Sequence, residues 1–356
     1  MSSHVHLPRP VVPLIIGCHH KTGTCLLIQL LNKLGPRLIQ KGRLGNIIMG
    51  NPIDRKLPLS SILNRNRCGC YVNMWFEHEI DVPPDNIRFL HFVRHPTKWV
   101  RSAYLYHKKG APSDLIRWLD WKVFCFNGAA ASYFEVLNQV DSRLGLAIES
   151  VRSFPEIVGT ACSARSSSSL VHCQRISLEQ VHRDFGAAMA GLCSFLGFGQ
   201  SEIAGIVAQL KHLDLSDSPP GSLPPNVTRR SANSAELEQT LGEDPQFAKL
   251  YAGAARDMGF HLAEPQSGSN SILPEGIVNA LLEGISQVLL SWQTVERSDK
   301  FMREETTGQW WTSYALQVFG CGHLMMQGFI QRILEEFQLG RAHNHQIREK
   351  PEILSG

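Results

Sequence analysis

The chain has 356 residues, enough for one large domain with an appendage or for two domains. With 43% hydrophobic and 19% charged residues it is a globular sequence, not a disordered one. A formal charge of +3 is too slight to point by itself to nucleic acid or a membrane surface as partner.

The amino terminus, Met1-Ser2-Ser3-His4-Val5-His6, has neither the charged nor the apolar region of a secretory leader. No stretch reaches the roughly eighteen apolar residues that a spanning helix needs. Nine cysteines are scattered, and Cys68-Gly69-Cys70 has no partner pair at zinc spacing. The expectation is a soluble, cytoplasmic protein with reduced thiols and no metal.

Val11-Val12-Pro13-Leu14-Ile15-Ile16 reads as a buried strand bounded by Gly17. Cys18-His19-His20-Lys21-Thr22-Gly23-Thr24 follows. Leu26, Leu27, Leu30, Leu31 and Leu34 then recur at helical spacing, with Gly35-Pro36 as the expected stop. The first N–H groups of a helix lack intrahelical partners and its dipole favours anions, so Lys21 at this turn points to phosphate-like ligands. A nucleotide-triphosphatase loop would carry its lysine after the second glycine, whereas Lys21 precedes Gly23. An ordinary turn with a solvated lysine stays open at this point. The basic residues from Arg37 to Arg67 thin out among Gly, Pro and Asn and read as a solvated loop, with a site for an anionic acceptor as the minor alternative.

The run Tyr71–Phe76 looks strand-like and leads into Glu77-His78-Glu79. Ile87–Val93 is a second buried strand, followed by Arg94-His95-Pro96. Pro96 suits the first turn of a helix, and Ser102 falls about two turns further on. Ligands of open parallel sheets bind beyond the carboxyl ends of the strands. An arginine fork and a hydroxyl brought together there suit a phosphate monoester.

Trp118, Trp121 and Phe124 roughly share a helical stripe and read as core, and the serine-rich stretch Ser163–Ser169 reads as a loop. Arg175–Val181 reads as a strand entering a helix that closes on Ser194–Phe198. Arg229-Arg230-Ser231 follows a proline-rich segment, and Leu237–Phe260 reads as a helix. Beyond a polar linker, one apolar stripe starts at Ile277 and Leu281 and another includes Ile330, Ile333 and Leu334. Their faces must be covered by the main domain or by a second copy of the chain, a homodimer through the C-terminal helices. The expected organisation is an α/β domain over 1–263, a linker over 264–274 and a helical extension over 275–356. Its core would be a central parallel sheet flanked by helices.

Lys21-Thr22-Gly23-Thr24 after a strand resembles the 5′-phosphosulfate loop of the sulfotransferases that use 3′-phosphoadenosine 5′-phosphosulfate (PAPS) as donor. The block from Arg94 through Ser102 to Tyr104 resembles their 3′-phosphate motif: an apolar strand, R-x-P, then S-x-Y in the helix. A third block keeps only the outline of their Y-E-D-L segment, with Ser177 and Gln180 in place of tyrosine and aspartate. The resemblance spans roughly residues 10 to 262. It implies that Lys21, Thr22, Gly23, Thr24 and Cys25 hold the 5′ end of the donor. Arg94 and Ser102 would hold the 3′-phosphate, with Arg230 on a late basic loop over it. Lys21 would also act in catalysis. By position His78 corresponds to the family's catalytic base, with Glu77 as second choice, although the T-H-L-P context is not kept. PAPS is the implied donor, no metal is implied, and the acceptor would be a small molecule. Two rivals are a P-loop kinase and a non-catalytic nucleotide-binding protein whose helical extension recruits partners.

Overall fold

Among the described residues of the computed structural model, seven strands form: β1 (Leu14–Gly17), β2 (Ile47–Met49), β3 (Cys70–Asn73), β4 (Arg88–Val93), β5 (Lys122–Phe126), β6 (Ala129–Ser132) and β7 (Cys173–Ser177). The structure describes residues 12–50, 59–66, 69–73, 87–110, 119–215, 232–262, 264, 271–283 and 327–335. The chain divides into two compact units. One comprises Met1–Trp99, Glu156–Arg229 and Gly253–His261; the other comprises Val100–Pro155, Arg230–Ala252 and Leu262–Gly356.

The first unit holds a five-stranded parallel sheet in the order β2-β3-β1-β4-β7. Sheets of this kind are buried on both faces, which is why their strands read as unbroken apolar runs. Side chains alternate across the sheet. Leu14, Ile16, Val72, Leu90 and Phe92 face one cluster, built with α1 (Thr24–Gln40) and later helices of the unit. Ile15, Tyr71 and Phe89 face a second cluster, completed by α2 (Leu59–Asn66). The expected central parallel sheet flanked by helices is therefore what forms.

Helix α1 differs from the sequence expectation at its end. Gly35-Pro36 does not stop it, and it runs on to Gln40 with Pro36 inside. Proline removes one backbone hydrogen bond, but Leu34 and Leu38 are each 3% exposed, so burial of the continued stripe wins. Arg37 and Lys41 accordingly sit at a helix end, not in a loop, where they meet Gln209 and Glu202.

β4 leads into α3 (Pro96–Lys109), with Pro96 at its first position as expected. In the second unit, β5 and β6 pair as an antiparallel hairpin. The aromatic stripe expected to be helical is thus partly strand: Phe124 is buried on β5, while Trp121 just before it is 55% exposed. Trp118 lies outside the described residues. After α4 (Tyr133–Gln139) comes α5 (Ser142–Ser166), which continues into a 3-10 turn over Ser167–Ser169. The serine-rich stretch is helical, not a loop. The hydroxyls of Ser163, Ser166, Ser167, Ser168 and Ser169 each donate back to a carbonyl three or four residues earlier. Those bonds satisfy the serines within helical geometry.

β7 is followed by α6 (Leu178–Arg183), α7 (Phe185–Phe195) and α8 (Gln200–Leu210). The stretch expected as one helix from Leu237 is two, α9 (Ala232–Gly242) and α10 (Pro245–Asp257). Asp244 accepts the N–H of Phe247 and starts the second helix. Of the C-terminal stripes, residues 275–283 and 327–335 are helical, with Ile277, Leu281, Ile330, Ile333 and Leu334 buried.

Candidate functional site

The sheet order reverses at β1. Its neighbours are β3 on one side and β4 on the other, so the crevice beyond the carboxyl ends of β1 and β4 is a topological switch point. Both turns singled out in the sequence open there.

The β1–α1 turn is tightly built around one carbonyl. His19 O accepts from the Thr22 N–H at 3.1 Å, from Thr22 Oγ1 at 2.9 Å and from Thr24 Oγ1 at 3.0 Å. In return the His19 N–H donates to Thr22 Oγ1 at 2.7 Å. Lys21 has φ of 66° and Gly23 φ of 116°. A left-handed backbone costs a non-glycine residue roughly 1–2 kcal/mol, so the bonds to His19 O have a strained turn to hold. Glycine suits position 23 chiefly for its backbone. Its φ disfavours any side chain, and a Cβ there would stand 3.0 Å from Leu178 Cδ2 on α6.

This geometry corrects one expectation. The main-chain N–H of Thr22 is spent inside the turn, on His19 O, and its hydroxyl is spent as well. The amides of Gly23 and Thr24 open the first turn of α1. No side chain caps that turn. Cys25 reports the charge of Lys21: burial pushes its thiol up, and the Lys21 ammonium pulls the other way. Cys18, behind the turn, is pushed up to about 12 by burial, against a hydrogen bond to Thr24. Neither is a ready thiolate nucleophile.

Arg94 follows the last residue of β4 and is 7% exposed. Its Nη1 donates to Lys21 O at 2.7 Å, joining the two turns. Glu179, in the first turn of α6, adds a third element. Glu179 Oε1 lies 3.9 Å from Arg94 Nε, and Oε2 accepts the His95 N–H at 3.4 Å. Ser177 and Gln180 form a reciprocal capping box that fixes the start of α6. The departures from Y-E-D-L are thus the cap itself.

Behind the turn, on the face opposite α1, lie His91 and His19, with ring centroids 6.5 Å apart; His19 is 5.8 Å from the Trp99 ring. Burial holds His91 well below the usual imidazole range, and the His19 and Arg175 charges add to this. His91 is neutral at physiological pH.

The structure therefore brings Lys21, Thr22, Gly23, Thr24, Cys25 and Arg94 to one rim of the first unit. Ser102 lies on α3, in the second unit, and is buried. His78, Glu77 and Arg230 lie outside the described residues. Sequence reasoning missed Glu179 and Leu178; the weak Y-E-D-L outline marked their place without their role. Among the described residues no group of three metal-ligating side chains clusters, and no helix is long and apolar enough to cross a membrane.

No protein-family model matches the chain, and no curated protein matches it in sequence. Among solved structures it is similar to mouse sulfotransferase SULT7A1 complexed with PAP, at 12% identity and a TM-score of 0.35. That similarity covers 70% of this chain and 85% of the other. So slight a likeness carries neither fold nor activity; the functional reading stands on the strand order and turns of this chain.

Proposed function

We propose that the protein is a transferase moving a sulfuryl group from PAPS to a hydroxyl or amine of a small-molecule acceptor. The observation that carries this reading is the meeting of the β1–α1 and β4–α3 turns at the point of strand-order reversal, where Arg94 Nη1 is 2.7 Å from Lys21 O. A lysine and an arginine from separate strands thereby share one rim beside an uncapped helix N-terminus. That arrangement suits a ligand with two separate anionic groups.

The turn suits the 5′ end of the donor: no side chain caps the start of α1. At the other end Arg94 would grip the 3′-phosphate, with Ser102 and Arg230 as the further candidates that the sequence resemblance implies. In the transfer the acceptor oxygen or nitrogen bonds to sulfur as the bond from sulfur to the bridging oxygen breaks. Lys21 would stabilise the charge growing on that oxygen, an interaction stronger in the transition state than before it. His78, or Glu77 in its place, would take the acceptor's proton. No step needs a metal.

Labelled PAPS offered with a panel of phenols, alcohols and amines tests this. The expected result is labelled product with the wild type and far less with Lys21→Ala; absence of transfer to every acceptor class would remove the reading.

A further inference from the structure

We propose that Glu179 is a positioning residue for this site, acting through Arg94 to set the conformation of the anion-binding turn. The role rests on the proposed function only for its purpose; the contacts themselves are independent of it. The peptide plane between Lys21 and Thr22 is held at both ends. Its N–H donates to His19 O at 3.1 Å and its carbonyl accepts from Arg94 Nη1 at 2.7 Å. That plane precedes the next amide, Gly23, and so bears on the direction of the first turn of α1, which no side chain caps.

Arg94 holds this plane while its own guanidinium is fixed, and Glu179 is a carboxylate beside it. One oxygen lies 3.9 Å from Arg94 Nε while the other takes the His95 N–H at 3.4 Å. The side chains of the pair are 9% and 12% exposed, so solvent screens them little. Leu178, the preceding residue, occupies the space that a Cβ on Gly23 would enter, 3.0 Å away. The β7–α6 turn thus sets the β1–α1 turn twice, by packing on Gly23 and by charge through Arg94. A carboxylate this close also offsets part of the guanidinium charge that would otherwise meet an anion. Removing it should loosen the turn without weakening the attraction of the rim for anions.

Hydrogen exchange of the full-length chain reads the first effect with no ligand present. The Thr22 amide is expected to exchange about tenfold faster in Glu179→Ala, the factor that corresponds to about 1.4 kcal/mol. Glu179→Gln, which keeps an acceptor for His95 and loses the charge, should show the same change in smaller measure. Amides of β1 and β4 should keep their protection in both variants. An unchanged Thr22 rate in both variants overturns the proposal. So does an equal rise across the whole sheet, which would mean general loosening. If wild type transfers sulfate, Glu179→Gln should lower kcat and leave the KM for PAPS unchanged or lower; a raised KM with unchanged kcat contradicts the role. If PAPS is not used at all, the proposed function fails while the exchange result still decides the clamp.

Discussion

Arg94 donates to the main-chain oxygen of Lys21, not to anything on the lysine side chain. The bond that ties the two turns together therefore survives any substitution at position 21 that tolerates its left-handed backbone. The roles of the two cations can be separated by experiment for that reason.

Lys21→Ala leaves the Arg94 bond and the His19-centred turn in place and removes only the ammonium. Turnover should fall by about 10²- to 10³-fold, as for loss of one preorganised donor to a developing oxyanion. Binding of 3′-phosphoadenosine 5′-phosphate (PAP) should change much less. Steady-state kinetics beside calorimetric titration of the same variant checks the split.

Arg94→Ala removes both the phosphate fork and the clamp. Binding of PAP should weaken by one to two orders of magnitude, since a hydrogen bond to a charged group contributes about 1.5–3 kcal/mol. A variant that binds PAP as well as wild type would show that the 3′-phosphate is held elsewhere.

The second unit has a buried charge network that makes a stability prediction of its own. Glu149 is 0% exposed and accepts from His107 Nδ1 at 2.8 Å, Tyr133 OH at 2.9 Å and Ser153 Oγ at 3.0 Å, with Arg152 also on it. Burial alone would raise its carboxyl. Arg152 and His107 outweigh this and hold it at about 2, against an ordinary 4.5. The stability this confers is complete above pH 4.5 and is lost as pH falls toward 2. Glu149→Ala leaves Arg152 without its counter-charge and should cost about 3–5 kcal/mol in urea unfolding at neutral pH.

His91 titrates in the opposite chemical sense with the same direction on the pH axis. Buried neutral, it must gain a proton on unfolding below its ordinary value of 6.5. Its contribution is present above that pH and lost as pH drops below it, with a slope of up to about 1.4 kcal/mol per pH unit. In His91→Asn, the fall in urea midpoint between about pH 7.5 and about pH 5 should be smaller than in wild type. An equal fall in both would place the acid sensitivity in other groups.

Much of the scaffold could be read from the residues because parallel, doubly buried strands announce themselves as apolar runs. Leu14-Ile15-Ile16 and Phe89-Leu90-His91-Phe92-Val93 fall where expected, and Pro96 opens the helix after Arg94. What escaped was set by contacts distant in sequence. Pro36 sits inside a helix because Leu38 must still be buried. The serines of α5 stay helical through bonds to their own backbone, which composition does not reveal. Glu179 comes to Arg94 only because β7 lies next to β4, a pairing no local pattern encodes. At Thr22 the use of the N–H inside the turn depends on a geometry that only the fold supplies.

The most direct test of the account is calorimetric titration of the wild-type chain with PAP and, separately, with ATP and Mg²⁺. Saturable binding of PAP in preference to ATP, weakened in Arg94→Ala, is the predicted result. Tight binding of ATP with Mg²⁺, or binding of neither nucleotide, would contradict it.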